Sequence, residues 1–207
     1  MAPVRPDSAQ TSGLLDRLRE GDPAALEGLL ARHRPALRAF VAARLDPRLA
    51  ARLDPSDVVQ EAQLAAARRI DDFLQRRPMP FRLWLRKTAY ERLLDLQRHH
   101  LGRARRSVGR EVALPDRSSL LLARPLLAGG PSPSEHLAGR EFAERVSRAV
   151  ATLSAADREV LLLRHAEGLP FEEVACVLGV QPAAARKRFG RALLRLQKAL
   201  TEEGLLE

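Results

Sequence analysis

Cysteine is nearly absent from the 207-residue chain: Cys176 stands alone. That excludes an internal disulfide framework and any zinc finger built on paired thiolates. Aromatic residues are scarce at 4%, with one Trp and one Tyr, so a core must be packed by Leu and Ala on helices. No stretch approaches the roughly 18 uninterrupted apolar residues that a membrane-spanning helix needs. Residues 1–13 lack the apolar centre of a signal peptide, and the expectation is a cytoplasmic protein. Strand-period alternation and internal repeats are missing as well. So are the motifs of common active sites: no His-Glu-x-x-His, no phosphate-cradling glycine loop, no nucleophile elbow. His99 and His100 are adjacent, so on a helix they diverge by about 100° and cannot chelate one metal. The reading is a chain that is no enzyme and needs no cofactor.

Apolar residues make up 45% of the chain, enough for a packed core, and the formal net charge is +9. The charge is clustered. Between Arg76 and Arg110 eleven basic residues face only Glu91 and Asp95. A second block, Arg186, Lys187, Arg188, Arg191, Arg195 and Lys198, contains no acid at all. Two separated cationic blocks suit two contacts with an extended polyanion.

Leucine spacing predicts helix from Leu14 to Leu45, broken near Gly21-Asp22-Pro23. Asp54 is placed to cap the next helix, with Pro55 at its first position and Asp57 in its first turn. Prolines 78 and 80 force a loop at 76–80, and helix resumes from Phe81 to about His100. Residues 101–131 have the glycine and proline content of a linker, yet carry five leucines, Leu120, Leu121, Leu122, Leu126 and Leu127. Ser132-Pro133-Ser134-Glu135 reads as a capping box, and Ser154 opens a further helix. The expected fold is all-α. A disordered tail over 1–13 precedes a helical domain over 14–100, and a flexible linker over 101–131 leads to a second domain over 132–203.

The second domain has a helix-turn-helix pattern. Phe171–Leu178 is a short helix, Gly179-Val180-Gln181 a turn and Pro182 the start of a third helix. Ala175 is small where two helices cross, and Gly179 lies where the turn needs positive φ. Val174, Leu178 and Val180 would fill the space between the helices. Ala185, Phe189, Leu193, Leu196 and Leu200 would form the buried stripe of the third helix. Its N-terminal end, the one that enters a major groove in this motif, carries Gln181, Ala183, Ala184, Arg186, Lys187, Arg188 and Arg191.

Leu153-Ser154-Ala155-Ala156-Asp157-Arg158-Glu159-Val160, followed by Glu172–Val180 and by Arg186–Ala192, resembles region 4 of bacterial sigma factors. Asp57-Val58-Val59-Gln60-Glu61 is similar to region 2.2. Phe81-Arg82-Leu83-Trp84-Leu85, with Asp95 and Arg98, is similar to regions 2.3 and 2.4. This order, without a large region 1 or 3, resembles the extracytoplasmic-function (ECF) sigma factors over about residues 14–203. Glu91 departs from the Asn common at its position.

The resemblance implies binding to core RNA polymerase and promoter DNA, with an anti-sigma factor as a further partner. Asp57, Gln60, Glu61 and Leu64 share a helix face and would dock on the polymerase; read alone, Asp57 is a complement to the helix dipole. Arg76, Arg77, Trp84, Lys87, Glu91, Asp95 and Arg98 would contact the melted −10 strand, where an aromatic beside cations suits unpaired bases. For Trp84 the competing reading is a place in the core, and for Asp95 and Arg98 a surface ion pair. The helix-turn-helix would read −35 DNA. The alternative is a helix-turn-helix regulator that binds duplex DNA without polymerase, which leaves the first basic block without a task.

Overall fold

The computed structural model describes residues 4–45, 53–104 and 136–205. They form α-helices and one π-helical turn, with no β-strand among the described residues. The chain is all-α and separates into two compact units.

The first unit holds α1 (Ala9–Arg19), α2 (Ala24–Ala42), α3 (Pro55–Ala67), α4 (Ile70–Arg76) and α5 (Phe81–Ala104). Helices α2, α3 and α5 pack on one another, and α1 packs on α2. Buried Leu15, Leu29, Leu37, Val41, Val58, Val59, Ala62, Leu85, Ala89 and Leu93 fill the space between them. Taking this apolar surface out of water supplies the main driving force for folding. Gly21, at φ 89°, turns the chain between α1 and α2, a left-handed conformation that glycine adopts without steric cost.

Asp54 caps α3 as the sequence suggests: its carboxylate accepts from the Ser56 amide at 2.6 Å, and Pro55 occupies the first turn. The N-terminal residues differ from expectation. Helix α1 begins at Ala9 with Ser8 as its cap, inside the segment expected to be a disordered tail. Asp7 then reaches across the unit, its carboxylate accepting from the Phe81 amide at 2.7 Å and the Arg82 amide at 3.2 Å. Pro80 precedes α5 and has no side-chain acceptor, and the first turn of α5 contains no acid. A carboxylate 74 residues upstream thus satisfies the two amides and complements the dipole.

The second unit holds α6 (His136–Ala151), α7 (Ala155–Leu161), a π-helical turn (Leu162–Ala166), α8 (Phe171–Leu178) and α9 (Pro182–Glu202). Helix α9 packs on α6 and α7. Ser154 caps α7, accepting from the Asp157 amide at 3.1 Å. The seam of α9 is shifted from the expected stripe. Ala185, Ala192, Ala199 and Leu200 are buried, whereas Leu193 is 43% and Leu194 67% exposed. Small side chains let α9 approach its neighbours closely, so alanines take the contact line that leucine size suggested. Helix α5 also runs on to Ala104, past its expected end near His100. The capping box at 132–135 and the leucines at 120–127 lie outside the described residues.

Candidate nucleic-acid and polymerase interfaces

On α3, Asp57, Gln60 and Leu64 are exposed, Leu64 at 53%, while Val58, Val59, Ala62 and Ala66 face the core. Glu61 is half-buried on the same side, where Arg92 Nε donates to its Oε2 at 2.8 Å. The four residues therefore occur together as one surface stripe with an apolar side chain among polar ones.

The basic residues of the first unit are largely engaged with acids. Arg76 pairs with Asp72 at 2.8 Å, and Arg77 with Asp16 at 3.4 Å. Arg77 ends α4 with φ 37°, the single non-glycine residue at positive φ among the described residues. It turns the chain into the Pro78-Met79-Pro80 segment, leaving Arg77 and Pro78 exposed. On α5, Lys87 is in contact with Glu91, and Arg98 Nη2 donates to Asp95 Oδ1 at 2.6 Å. Exposed pairs of this kind contribute well under ~1 kcal/mol.

Trp84 is placed differently from the −10 contacts. It is 6% exposed, with its ring centroid 4.6 Å from that of Phe73 and 5.7 Å from that of Phe81. Its indole is part of the core and offers no open face for a base to stack on. This corrects its inclusion among the strand-contacting residues. His33 adjoins the same cluster, edge-on to Phe81 at 5.3 Å, with Nε2 3.2 Å from Thr11 Oγ1. Burial holds the His33 pKa below the ordinary imidazole value, despite the carboxylate of Asp7 nearby.

In the second unit, α8 and α9 form the expected helix-turn-helix. Gly179 has φ 65°, the left-handed conformation the turn requires, and the Val180 amide donates to the Ala175 carbonyl at 3.1 Å. Ala175 and Val174 are buried at the crossing. Gln181, Ala183, Ala184, Arg186, Lys187 and Arg191 are exposed and Arg188 half-buried. Gln181 stands at the N-cap of α9 without a side-chain capping bond, so its amide group is not consumed by the helix.

Two acids that look remote in sequence enter this basic surface. Glu172 Oε1 accepts from Arg186 Nη2 at 2.7 Å, and Asp157 contacts Arg195. Arg186 therefore has an acidic neighbour that the local sequence does not reveal. Among the described residues no acid pairs with Lys187, Arg188 or Arg191. No three His, Cys, Asp or Glu side chains among the described residues could hold a metal ion. No described helix is long and apolar enough to cross a membrane.

A chain with an acid-and-leucine stripe on one helical unit and a cationic helix-turn-helix on the other has the features of a transcription-initiation subunit. Residues 143–196 match the sigma-70 region 4 family. The RNA polymerase sigma factor CnrH of Cupriavidus metallidurans is 33% identical over 180 residues, covering 87% of this chain and 88% of that protein. The ECF RNA polymerase sigma factor ShbA of Streptomyces griseus is 33% identical over 203 residues, 97% of this chain and all of its own length. The solved structure of CnrH in complex with the cytosolic domain of CnrY matches with a TM-score of 0.58 at 26% identity, over 94% of this chain and 99% of that one.

The chain belongs to the ECF sigma factors. It directs transcription initiation with RNA polymerase, and the polymerase-independent regulator falls away because RNA polymerase sigma factors align over 87% and 97% of the chain.

Proposed function

We propose that the two units divide the work of initiation between them. The stripe Asp57, Gln60, Glu61 and Leu64 docks on core polymerase. Arg76, Arg77, Lys87, Glu91, Asp95 and Arg98, with the Pro78–Pro80 segment, meet the −10 strand as it opens. The N-terminal end of α9, from Gln181 to Arg191, enters the major groove of −35 DNA. Lys187, Arg188 and Arg191 supply contacts there to phosphates, while Ala183 and Ala184 permit close approach.

The observation that carries this division is the exposed cationic end of α9 behind a properly turned Gly179. It has the geometry in which a recognition helix presents its first residues to base edges. The protein acts in the cytoplasm and has no active site of its own. An anti-sigma protein would regulate it by covering these surfaces; the related CnrH has been solved in complex with the cytosolic domain of CnrY.

The docking stripe is tested by Asp57→Ala with Glu61→Ala. Both side chains are at the surface, so the double variant should melt within a few degrees of wild type. Its association with core polymerase, measured in competition with another sigma factor, should weaken several-fold. Unchanged competition would remove the stripe from the polymerase interface.

A further inference from the structure

Arg186 differs from Lys187, Arg188 and Arg191, its fellow cations at the N-terminal end of the recognition helix, in being held by an acid. Its Nη2 donates to Glu172 Oε1 at 2.7 Å, and its guanidinium carbon lies 5.7 Å from the centroid of the Phe171 ring. That ring is fixed in turn: it forms a T-shaped pair with Phe189 at a centroid distance of 5.4 Å and an interplanar angle of 72°, and the guanidinium carbon of Arg164 lies 4.9 Å from its centroid. The Glu172 side chain is only 12% exposed, whereas that of Arg186 is 42% exposed. The acid is anchored in the first turn of α8 and the cation is presented outward from the second turn of α9.

An arginine has five donors, and the Glu172 contact uses one of them. The remaining donors are fixed in direction before DNA arrives, which removes much of the ordering cost of binding. A fixed, planar fork matches the paired acceptors of a guanine edge, while a mobile cation serves a phosphate equally well. We propose that Arg186 is the specificity-determining residue of the helix-turn-helix, reading a guanine in the −35 element, and that Glu172 is its positioning residue. Lys187 and Arg191 then act mainly on the backbone.

The inference rests on the −35 assignment of α9. A contrary role for Glu172, neutralising Arg186 and withdrawing it from DNA, fits poorly with the outward exposure of the guanidinium. A role limited to complementing the α8 dipole would affect stability without affecting base choice.

The test uses full-length variants in holoenzyme with core RNA polymerase and a library of promoter duplexes randomised over the −35 element. Sequencing of bound DNA gives a base preference at each position. Wild type should prefer guanine at one position or more. Arg186→Lys keeps the charge and loses the fork, and should reduce that preference about tenfold while retaining much of the non-specific affinity. Glu172→Ala should reduce the same preference at the same position. Glu172→Gln, which keeps an acceptor for Nη2, should restore most of it. Arg191→Ala should weaken all sequences alike and lower the salt slope by about one.

Three results overturn the proposal: a preference intact in Glu172→Ala, a loss spread evenly over all base pairs, or tighter binding by Glu172→Ala. If wild type selects no −35 base and Arg191→Ala and Lys187→Ala change nothing, the −35 assignment itself fails, and the proposal with it.

Discussion

Removing the Trp84 indole separates a core residue from a DNA contact, because the two roles predict different losses. A buried tryptophan takes about 150–250 Å² out of water, worth roughly 4–6 kcal/mol at ~25 cal/mol per Å², before allowing for residual burial in the unfolded chain. At 6% exposure Trp84 has nearly the full amount to lose. Its neighbours Phe73 and Phe81, both core residues themselves, cannot collapse fully into the gap. Trp84→Ala should therefore destabilise the first unit by about 3–5 kcal/mol, a large share of the total for a small domain. Trp84→Phe, which retains an aromatic ring, should cost distinctly less.

The assay is urea unfolding followed by circular dichroism, with promoter opening by the holoenzyme measured in parallel. As Trp84 is the one tryptophan in the chain, native fluorescence adds a direct check. Emission should be blue-shifted and poorly quenched by acrylamide, and should move to the red on unfolding. A variant Trp84→Ala with wild-type unfolding and defective opening would refute the core placement and return the indole to the DNA.

Two further perturbations test the first unit. Asp7→Ala removes the acceptor of the Phe81 and Arg82 amides and should destabilise the protein by about 0.5–2 kcal/mol in denaturant unfolding, whereas Asp7→Asn should retain part of the cap. His33 is held neutral by burial, so the unfolded chain takes up a proton first as pH falls below the ordinary imidazole value near 6.5. Stability contributed by neutral His33 is complete above that value and is lost progressively below it. Thermal melts should fall between pH 7 and pH 5, and His33→Gln should flatten this part of the profile; an unchanged slope would show that His33 is not the titrating group.

Local chemistry was the most legible part of the fold. Asp54 and Ser154 cap their helices within three residues, and Gly179 takes the positive φ of its turn because such features depend on adjacent residues alone. Helical periodicity likewise separates the exposed Asp57, Gln60 and Leu64 from buried Val58, Val59 and Ala62. Contacts between distant segments were not legible. Nothing near Phe81 signals that Asp7 caps it, and nothing near Arg186 signals Glu172, which lies on the preceding helix. The order of the N-terminal residues follows from the same long-range bonds. On α9, hydrophobic size favoured Leu193 for the core, but close helix packing selects Ala192, which is fully buried. The π-helical turn at Leu162–Ala166 carries no glycine or proline to announce it; the run Val160–Leu163 is buried throughout, more than one face of a regular helix.

The division of labour between the two units is tested most directly by reconstituted transcription. Core RNA polymerase, purified chain and a library of genomic fragments would be combined, and transcript 5′ ends mapped. The account predicts initiation that depends on both proteins, at sites sharing one upstream and one downstream element. Substitutions of Lys187 and Arg191 should impair use of the upstream element, and substitutions of Arg76 and Lys87 should impair opening at the downstream one. Initiation indifferent to the α9 substitutions, or transcript ends that share no upstream element, would contradict it.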